Sequence, residues 1–205
     1  MQTDTYSNLY TLVKGLTGNT TFTSEEDTLI QSFVNRRIFA AYRRSAYWPR
    51  YLTLGEARAA SSRVISFTEG ALDSIDTFLR IYNNSPYQTN SVTEYDFVVT
   101  ANGAQVVGDT ADATSFYVDY KQRWEGPYNN STNDDIPLEF FHYATHGTVA
   151  DFLRYDKQID KAEAEEAYAE SLLVLELGNI QNQRNINLAG KRIRTHATQQ
   201  TRYSR

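Results

Sequence analysis

Cysteine is absent from this chain of 205 residues, and methionine occurs once. The lack of cysteine excludes disulfide bonds, thiolate nucleophiles and cysteine-ligated zinc. No stretch approaches the ~18 consecutive apolar residues that a membrane span requires. The N-terminus also lacks the basic segment followed by a long apolar one that is typical of a secretory signal. We therefore expect a soluble, unprocessed protein without membrane contact.

Carboxylates are missing from the C-terminal end. Residues 1–178 hold all 25 acidic residues and 14 of the 20 basic ones, a net charge of -11, whereas residues 179–205 hold six basic residues and no acidic one. A polar segment with few large apolar side chains gains too little from burial to offset its ordering entropy. Alone, this basic tail is therefore predicted to be disordered, and an ordered tail would need a partner, for which an acidic surface is the candidate.

The sequence also lacks motifs for phosphate binding, dinucleotide binding and serine or cysteine catalysis. Glu139, His142 and His146 share a helix face and form the one candidate metal set, but a two-metal helical site needs a second such motif, which is missing. The pattern favours histidines packed against aromatic rings. Two pairs of carboxylates lie at predicted turns, where acids form local hydrogen bonds: Asp73 with Asp76, and Asp134 with Asp135. We predict no enzyme, with no catalytic, cofactor-binding or metal-binding residues.

Aromatic residues are abundant, with 15 Tyr and 10 Phe. Aromatics with a polar group are favoured in strands and at subunit interfaces. Apolar residues recur at helical spacing over residues 5–16, 24–47, 137–155 and 161–177, the last ending at Gly178 as its C-cap. Between about residues 60 and 125, β-branched and aromatic runs predict four or five strands, with a hairpin at Ala101-Asn102-Gly103.

These patterns predict an α+β fold that is mainly α: an antiparallel helical bundle with an inserted small antiparallel β-sheet and an extended C-terminal arm. The predicted regions are the N-terminal helices of the bundle (1–60), the β-sheet insertion (61–125), the C-terminal helical hairpin (126–180) and the extended basic tail (181–205).

Cations and aromatic rings alternate between Arg36 and Arg50, at the end of the second predicted helix. This mixture is typical of a nucleic-acid surface, and equally of a helix face that packs over a neighbouring subunit. A net charge of -5 argues against free, tight binding to nucleic acid and favours the subunit interface. The residues predicted at this interface are Arg36, Arg37, Arg43, Arg44 and Trp48.

In the order and type of its segments, the chain resembles the head-to-tail adaptor (connector, or neck) proteins of tailed bacteriophages. In one of the stretches that carry the likeness, a helix with Asn-Arg-Arg runs into Trp48-Pro49; in another, a helix that starts at Pro137 is followed by a short link and an Ala/Glu-rich helix. The stretches are TSEEDTLIQSFVNRRIFAAYRRSAYWPRYL (23–52), TFLRIYNNSPY (77–87), SFYVDYKQRW (115–124) and DIPLEFFHYATHGTVADFLRYDKQIDKAEAEEAYAESLLVLEL (135–177).

The resemblance implies a non-enzymatic structural protein of the virion, located at the head–tail junction and assembled in the host cytoplasm. It implies a homododecameric ring that docks under the portal protein and joins it to the tail, nozzle or another neck protein. The ring would continue the channel through which viral DNA passes without sequence-specific binding.

The resemblance further implies that the C-terminal tail docks on the portal. The sixteen residues after Ala189 would span roughly 50 Å if extended, which is far enough to leave their own subunit. The residues assigned to portal binding are Arg184, Lys191, Arg192, Arg194, Arg202, Tyr203 and Arg205.

Two other functions remain open from the residues alone. One is a nucleic-acid-binding module that uses the basic tail and the helix from Arg36 to Arg50, for which affinity falls steeply with salt. The other is an enzyme centred on Glu139, His142 and His146.

Overall fold

Two hydrophobic patterns, one helical and one strand-like, correspond to two units of the structure. The structure is a computed structural model that describes residues 2–87, 92–108 and 113–200, with 183–200 described as backbone. The helical unit comprises Met1–Ser45 and Pro127–Arg205, and the sheet unit comprises Ala46–Gly126. The elements in chain order are β1 (Thr3–Thr5), α1 (Tyr6–Thr17), α2 (Ser24–Arg43), β2 (Leu52–Ser61), β3 (Val64–Ser66), β4 (Ile75–Tyr82), β5 (Glu94–Tyr95), β6 (Phe97–Thr100), β7 (Gly103–Val106), β8 (Ser115–Gln122), β9 (Asp135–Pro137), α3 (Leu138–Tyr155) and α4 (Ile159–Gln200).

The helical unit is built around α3, which contacts α1, α2 and α4. Most residues of α3 are buried, as expected for a helix with neighbours on several sides. The short strands β1 and β9 pair antiparallel and hold the start of α1 beside the start of α3. The core side chains of this unit include Leu9, Val13, Ile30, Val34, Ile38, Phe140, Phe141, Val149 and Leu173.

Helix α4 is much longer than its partner in the helical hairpin. It spans 42 residues and α3 spans 18, or about 63 Å and about 27 Å at the helical rise per residue. Gly178, the predicted C-cap, does not adopt the left-handed backbone conformation that ends α1 at Gly18. Because nothing breaks the hydrogen-bonding pattern at Gly178, the helix continues to Gln200. The prediction of an extended C-terminal arm is therefore wrong as far as residue 200.

The sheet unit is a seven-stranded antiparallel sheet in the order β5-β4-β8-β2-β3-β7-β6. The two edge strands, β5 and β6, are consecutive in the chain and are separated only by Asp96, so the sheet curls until it is nearly closed into a barrel. Alternate side chains point inward and form its core. These core residues are Ile65, Ile75, Phe78, Ile81, Ala104, Val106, Phe116, Val118 and Tyr120.

The predicted hairpin joins β6 to β7, where Thr100 pairs with Gly103. The hairpin is confirmed, but the turn centres on Ala101 and Asn102, and only Gly103 has a positive φ, of 142°. A Cβ on Gly103 would lie 1.9 Å from the carbonyl oxygen of Ile65 on β3. Glycine is required here because the two backbones approach so closely.

The prediction of a mainly helical bundle is wrong, because 45% of the chain is helical and 26% is in strands. Residues 52–60, placed by the sequence with the N-terminal helices, lie in β2. Its sequence, LTLGEARAAS, is rich in residues that favour helices. However, β2 is hydrogen-bonded to β8 on one side and β3 on the other, and this tertiary pairing outweighs local propensity.

Candidate subunit interface

Helix α2 carries three of the five residues predicted at the interface, a fourth, Arg44, is its C-cap, and the start of the helix is defined locally. Thr23 accepts a hydrogen bond from the backbone N–H of Glu26, whose carboxylate accepts one from the N–H of Thr23. This capping box satisfies two amides that the helix cannot. From there the helix buries one face, which includes Ile30, Val34, Arg37, Ile38, Ala41 and Tyr42.

Arg37, on the buried face of α2, links three helices. Its Nε and Nη2 donate to the two carboxylate oxygens of Asp151 on α3, at 2.8 and 2.7 Å. Its Nη1 and Nη2 donate to Glu166 on α4, at 2.7 and 2.5 Å. One guanidinium thus holds two carboxylates with bidentate geometry, the strongest form of charged hydrogen bonding in proteins. We call these three residues the Arg37 network.

Two opposing effects set the protonation of the network. Burial favours the neutral form of Arg37, but the hydrogen bonds to Asp151 and Glu166 outweigh it, and the pKa of Arg37 is raised. Burial likewise acts to raise the pKa of Asp151, but the hydrogen bonds from Arg37 and Arg36 reverse its effect and lower that pKa. The pKa of Glu166 is also lowered, chiefly by its hydrogen bond from Arg37. All three groups are therefore charged at neutral pH.

A glycine on α3 makes room for this network. A Cβ on Gly147 would lie 2.8 Å from Cδ of Arg37, which is closer than side chains tolerate. Gly147 costs helix stability relative to alanine, but it lets the Arg37 side chain cross α3 to reach both carboxylates.

The opposite side of α2 faces solvent and keeps its positive charge. The side chain of Arg36 is 61% exposed although Nη2 lies 2.6 Å from Asp151. Arg43 is exposed and has no carboxylate within ion-pair distance among the residues that the structure describes. Their guanidinium carbons lie over the rings of two phenylalanines of α2, at 5.3 and 5.7 Å. We call Phe33, Arg36, Phe39 and Arg43 the basic face.

Helix α4 presents a face of opposite character. Between Ile159 and Asn182 it carries six acidic residues and one lysine, and it buries Ala162, Ala169 and Leu173. On its other side three large apolar residues are exposed: Tyr168 at 52%, Val174 at 63% and Leu175 at 64%. Two exposed carboxylates lie on the same side. We call Asp160, Glu163, Tyr168, Val174 and Leu175 the acidic-apolar face.

The candidate metal set is not assembled. His146 places Nδ1 2.7 Å from Glu165 of α4, and its ring packs edge-on against Tyr168. His142 is exposed and packs against Phe141. Over residues 2–87, 92–108 and 113–182, no three histidine or carboxylate side chains are grouped so that they could bind a metal ion.

Arginine is also buried in the sheet unit, at a site that the sequence did not predict. Arg58 of β2 is fully buried. Its Nη2 donates to the hydroxyl of Tyr120 and the carbonyl of Asp73, both at 2.6 Å, and lies 2.7 Å from the carboxylate of Glu56. Nε and Nη1 have no hydrogen-bond partner among the described residues. Arg58 therefore uses its guanidinium far less completely than Arg37 does.

A shallow cleft in the sheet unit has a volume of about 180 Å³, lined by residues that include Asp73, Gln122 and Trp124. Pockets for drug-sized ligands are larger, at about 300–1,000 Å³. The side-chain amide of Gln122 is already hydrogen-bonded within the chain, because its Nε2 donates to Asp73 and Thr53. Nothing here indicates a small-molecule site.

The structure separates the five predicted interface residues into two groups. Arg36, Arg43 and Arg44 are exposed, although Arg44 pairs with Glu170 at 3.1 Å. Arg37 and Trp48 are buried, so they offer little surface to a neighbouring subunit. The sequence missed the acidic partners on α3 and α4, although the helical spacing of Glu166 and Glu170 is visible in it. Contact between subunits stays a prediction.

Part of the predicted portal-binding set falls within α4. The backbone of Arg184, Lys191, Arg192 and Arg194 is helical. Arg202, Tyr203 and Arg205 lie outside the described residues.

No protein-family model and no curated protein matches this chain. Within the parts of the chain that the structure describes, no helix is both long and apolar enough to span a membrane.

Proposed function

We propose that the chain is a head-to-tail adaptor of a tailed bacteriophage: a non-enzymatic virion protein that forms a ring under the portal, joins it to the tail and continues the DNA channel. The observation that carries the proposal is helix α4. Its first half packs on α3 and is acidic, and its second half continues past the length of α3 and is basic.

The length of α4 supports a partner beyond the chain itself. In an antiparallel hairpin, the 18 residues of α3 cover only about the first 20 residues of α4. About 33 Å of helix then remains, and it contains Arg184, Lys191, Arg192 and Arg194. Isolated helices are marginal in water, so this basic segment gains stability by binding an acidic surface. In the proposed function that surface belongs to the portal.

The acidic body supports the channel function. Residues 1–178 carry a net charge of -11, and a negative wall repels the phosphate backbone. DNA would therefore pass without being retained. This role needs no active site, and it places the protein at the head–tail junction of the virion.

Neutralising the basic end of α4 tests this proposal. The variant Lys191→Gln/Arg192→Gln/Arg194→Gln should bind purified portal rings at least about tenfold more weakly than wild type, because it removes three charges from the docking segment. A matched variant, Arg63→Gln/Arg80→Gln/Arg123→Gln, makes the same charge change in the sheet unit and should bind normally. If both variants bind portal rings with the same affinity, the basic segment has no specific role in portal docking.

One observation favours a second function, nucleic-acid binding. Arg36 and Arg43 are exposed beside aromatic rings, an arrangement that can contact phosphates and stack on bases. In that case the affinity of wild type for a DNA duplex should fall between 50 and 200 mM salt, by about tenfold if only Arg36 and Arg43 contact phosphates and by about 10³-fold if the basic tail adds about four contacts. The burial of Arg37 and Trp48 removes two members of the predicted surface.

A further inference from the structure

We propose that the basic face of one copy of the chain binds the acidic-apolar face of a second copy, so that copies associate head to tail. The inference rests on the self-association in the proposed function, and it names the surfaces that form the contact.

The first argument is the charge that remains after each copy has paired internally. From Thr28 to its C-cap Arg44, helix α2 has four arginines and no acidic residue, whereas α4 is acidic as far as Asn182. Inside one copy, Arg37 pairs with Glu166 and Arg44 with Glu170. Arg43 on α2, and Asp160 and Glu163 on α4, keep no oppositely charged partner within 4.0 Å among the described residues. The unpaired charges on the two helices are thus complementary.

The second argument is the exposed apolar area on α4. Tyr168 and Leu175 are seven residues apart, and Glu163 and Val174 are eleven apart, so each pair lies along one side of the helix. Three large side chains that are more than half exposed form a patch, and patches flanked by charge are typical of protein–protein contacts. The basic face supplies arginines and phenylalanines, which are enriched in such contacts.

The third argument concerns symmetry. A contact between two identical basic faces, or between two identical acidic-apolar faces, would place like charges opposite each other, which is unfavourable. A contact between the two different faces avoids this repulsion. Because each copy carries both faces, the contact repeats from copy to copy, and such a head-to-tail series closes into a ring when its rotation permits.

The test exchanges one charge on each face. Arg43→Glu places an acid on the basic face, and Glu163→Arg places a base on the acidic-apolar face. Both positions are exposed and outside the Arg37 network. Sedimentation velocity at low ionic strength should show self-association at least about tenfold weaker for either variant alone. An equimolar mixture should recover wild-type association, because each altered face then meets its altered complement. Arg123→Glu, the same charge change in the sheet unit, should associate like wild type.

A mixture that associates as weakly as each variant alone would overturn the proposal, as would wild type that stays monomeric. Unchanged self-association by Arg43→Glu together with lost binding to a DNA duplex would assign the basic face to nucleic acid. Portal binding by wild type is measured separately. If wild type binds the portal normally but the mixture does not regain self-association, only this inference is wrong. If the mixture regains self-association but wild type does not bind the portal, the adaptor function is wrong and the contact between the two faces is still supported.

A second measurement does not depend on charge. The chain has no cysteine, so Ser32→Cys beside the basic face and Val174→Cys on the acidic-apolar face each introduce a single thiol. When the two variants are mixed with a short bis-maleimide, cross-links between unlike chains should exceed those between like chains several-fold. A predominance of like-chain products, or a yield no higher than with Leu72→Cys of the sheet unit, would contradict the proposal.

Discussion

Among the side chains that the structure describes, each unit buries one arginine, and the two are held in different ways. Arg37 of the helical unit has two carboxylates, both bound in bidentate fashion. Arg58 of the sheet unit lies against one carboxylate and the ring of Tyr120, with its guanidinium carbon 4.8 Å from the ring centre, and two of its nitrogens have no partner among the described residues. A buried charge stabilises a fold only when its hydrogen bonds are complete, so the two arginines should differ in what they contribute.

The largest expected effect is at Arg37. The variant Arg37→Met should lower the free energy of unfolding by about 3 kcal/mol, because Asp151, whose side chain is 6% exposed, and the partly buried Glu166 keep only the more exposed Arg36 and Arg154 as cationic partners. Urea denaturation followed by circular dichroism at 222 nm measures the loss. A loss below about 1 kcal/mol would show that Asp151 and Glu166 do not need the guanidinium.

The same substitution in the sheet unit should cost less. Arg58→Met should lower the free energy of unfolding by about 1–2 kcal/mol, because it removes one ion pair but also two donors that lack partners. Glu56 is 27% exposed in its side chain, so water can replace its lost partner. If Arg58→Met is as damaging as Arg37→Met, the contrast between the units is wrong.

Acidification should destabilise the helical unit at a higher pH than the sheet unit. The pKa values of Asp151 and Glu166 are lowered from ordinary values of 3.8 and 4.5, so their stabilisation is complete above those values and is lost as the pH falls below them. The helical unit should therefore lose stability below about pH 4.5.

The chain offers a separate probe for each unit in this experiment. Both tryptophans, Trp48 and Trp124, lie in the sheet unit, whereas the helical signal comes from the other unit. The circular dichroism signal should fall at higher pH than tryptophan fluorescence changes. Coincident transitions, or the same acid sensitivity in Arg37→Met, would contradict the assignment to the Arg37 network.

The smallest effect is expected at the surface. Arg44 and Glu170 are both partly exposed, and such pairs contribute about 0.2–1 kcal/mol. Arg44→Ala should therefore change the free energy of unfolding by less than about 1 kcal/mol, and less still at high salt. A larger decrease in the free energy of unfolding would indicate that Arg44 is energetically coupled to the Arg37 network.

The hairpin at Ala101-Asn102-Gly103 and the helix that begins after Pro137 follow from local turn and proline chemistry, which the sequence contains. The strand β2 does not, because residues 52–61 resemble a helix and become a strand through hydrogen bonds to β8 and β3. Gly178 shows the same limit: glycine permits a helix end but does not force one. The seven-stranded sheet therefore depends on pairings between distant residues that periodicity does not report.

The cationic character of α2 was visible in the sequence as alternating arginines and aromatic rings. The division of α2 into a buried and an exposed side was not predicted. Helical spacing places Arg37 with Val34, Ile38 and Ala41, so the inward position of Arg37 could have been predicted. The burial of Trp48 could not, because that residue lies beyond the end of α2. The acidic-apolar face was readable as well, since Tyr168, Val174 and Leu175 lie opposite Ala162, Ala169 and Leu173.

The most direct test of the adaptor function is the mass of the complex formed between purified portal rings and the chain, measured by mass photometry with and without residues 190–205. The intact chain should add a mass equal to a whole number of subunits to each portal ring, and the truncated chain should remain folded and add none. Binding that is unchanged by the truncation would contradict docking through the basic end of α4. A chain that does not bind portal rings but does bind DNA would contradict the adaptor function itself.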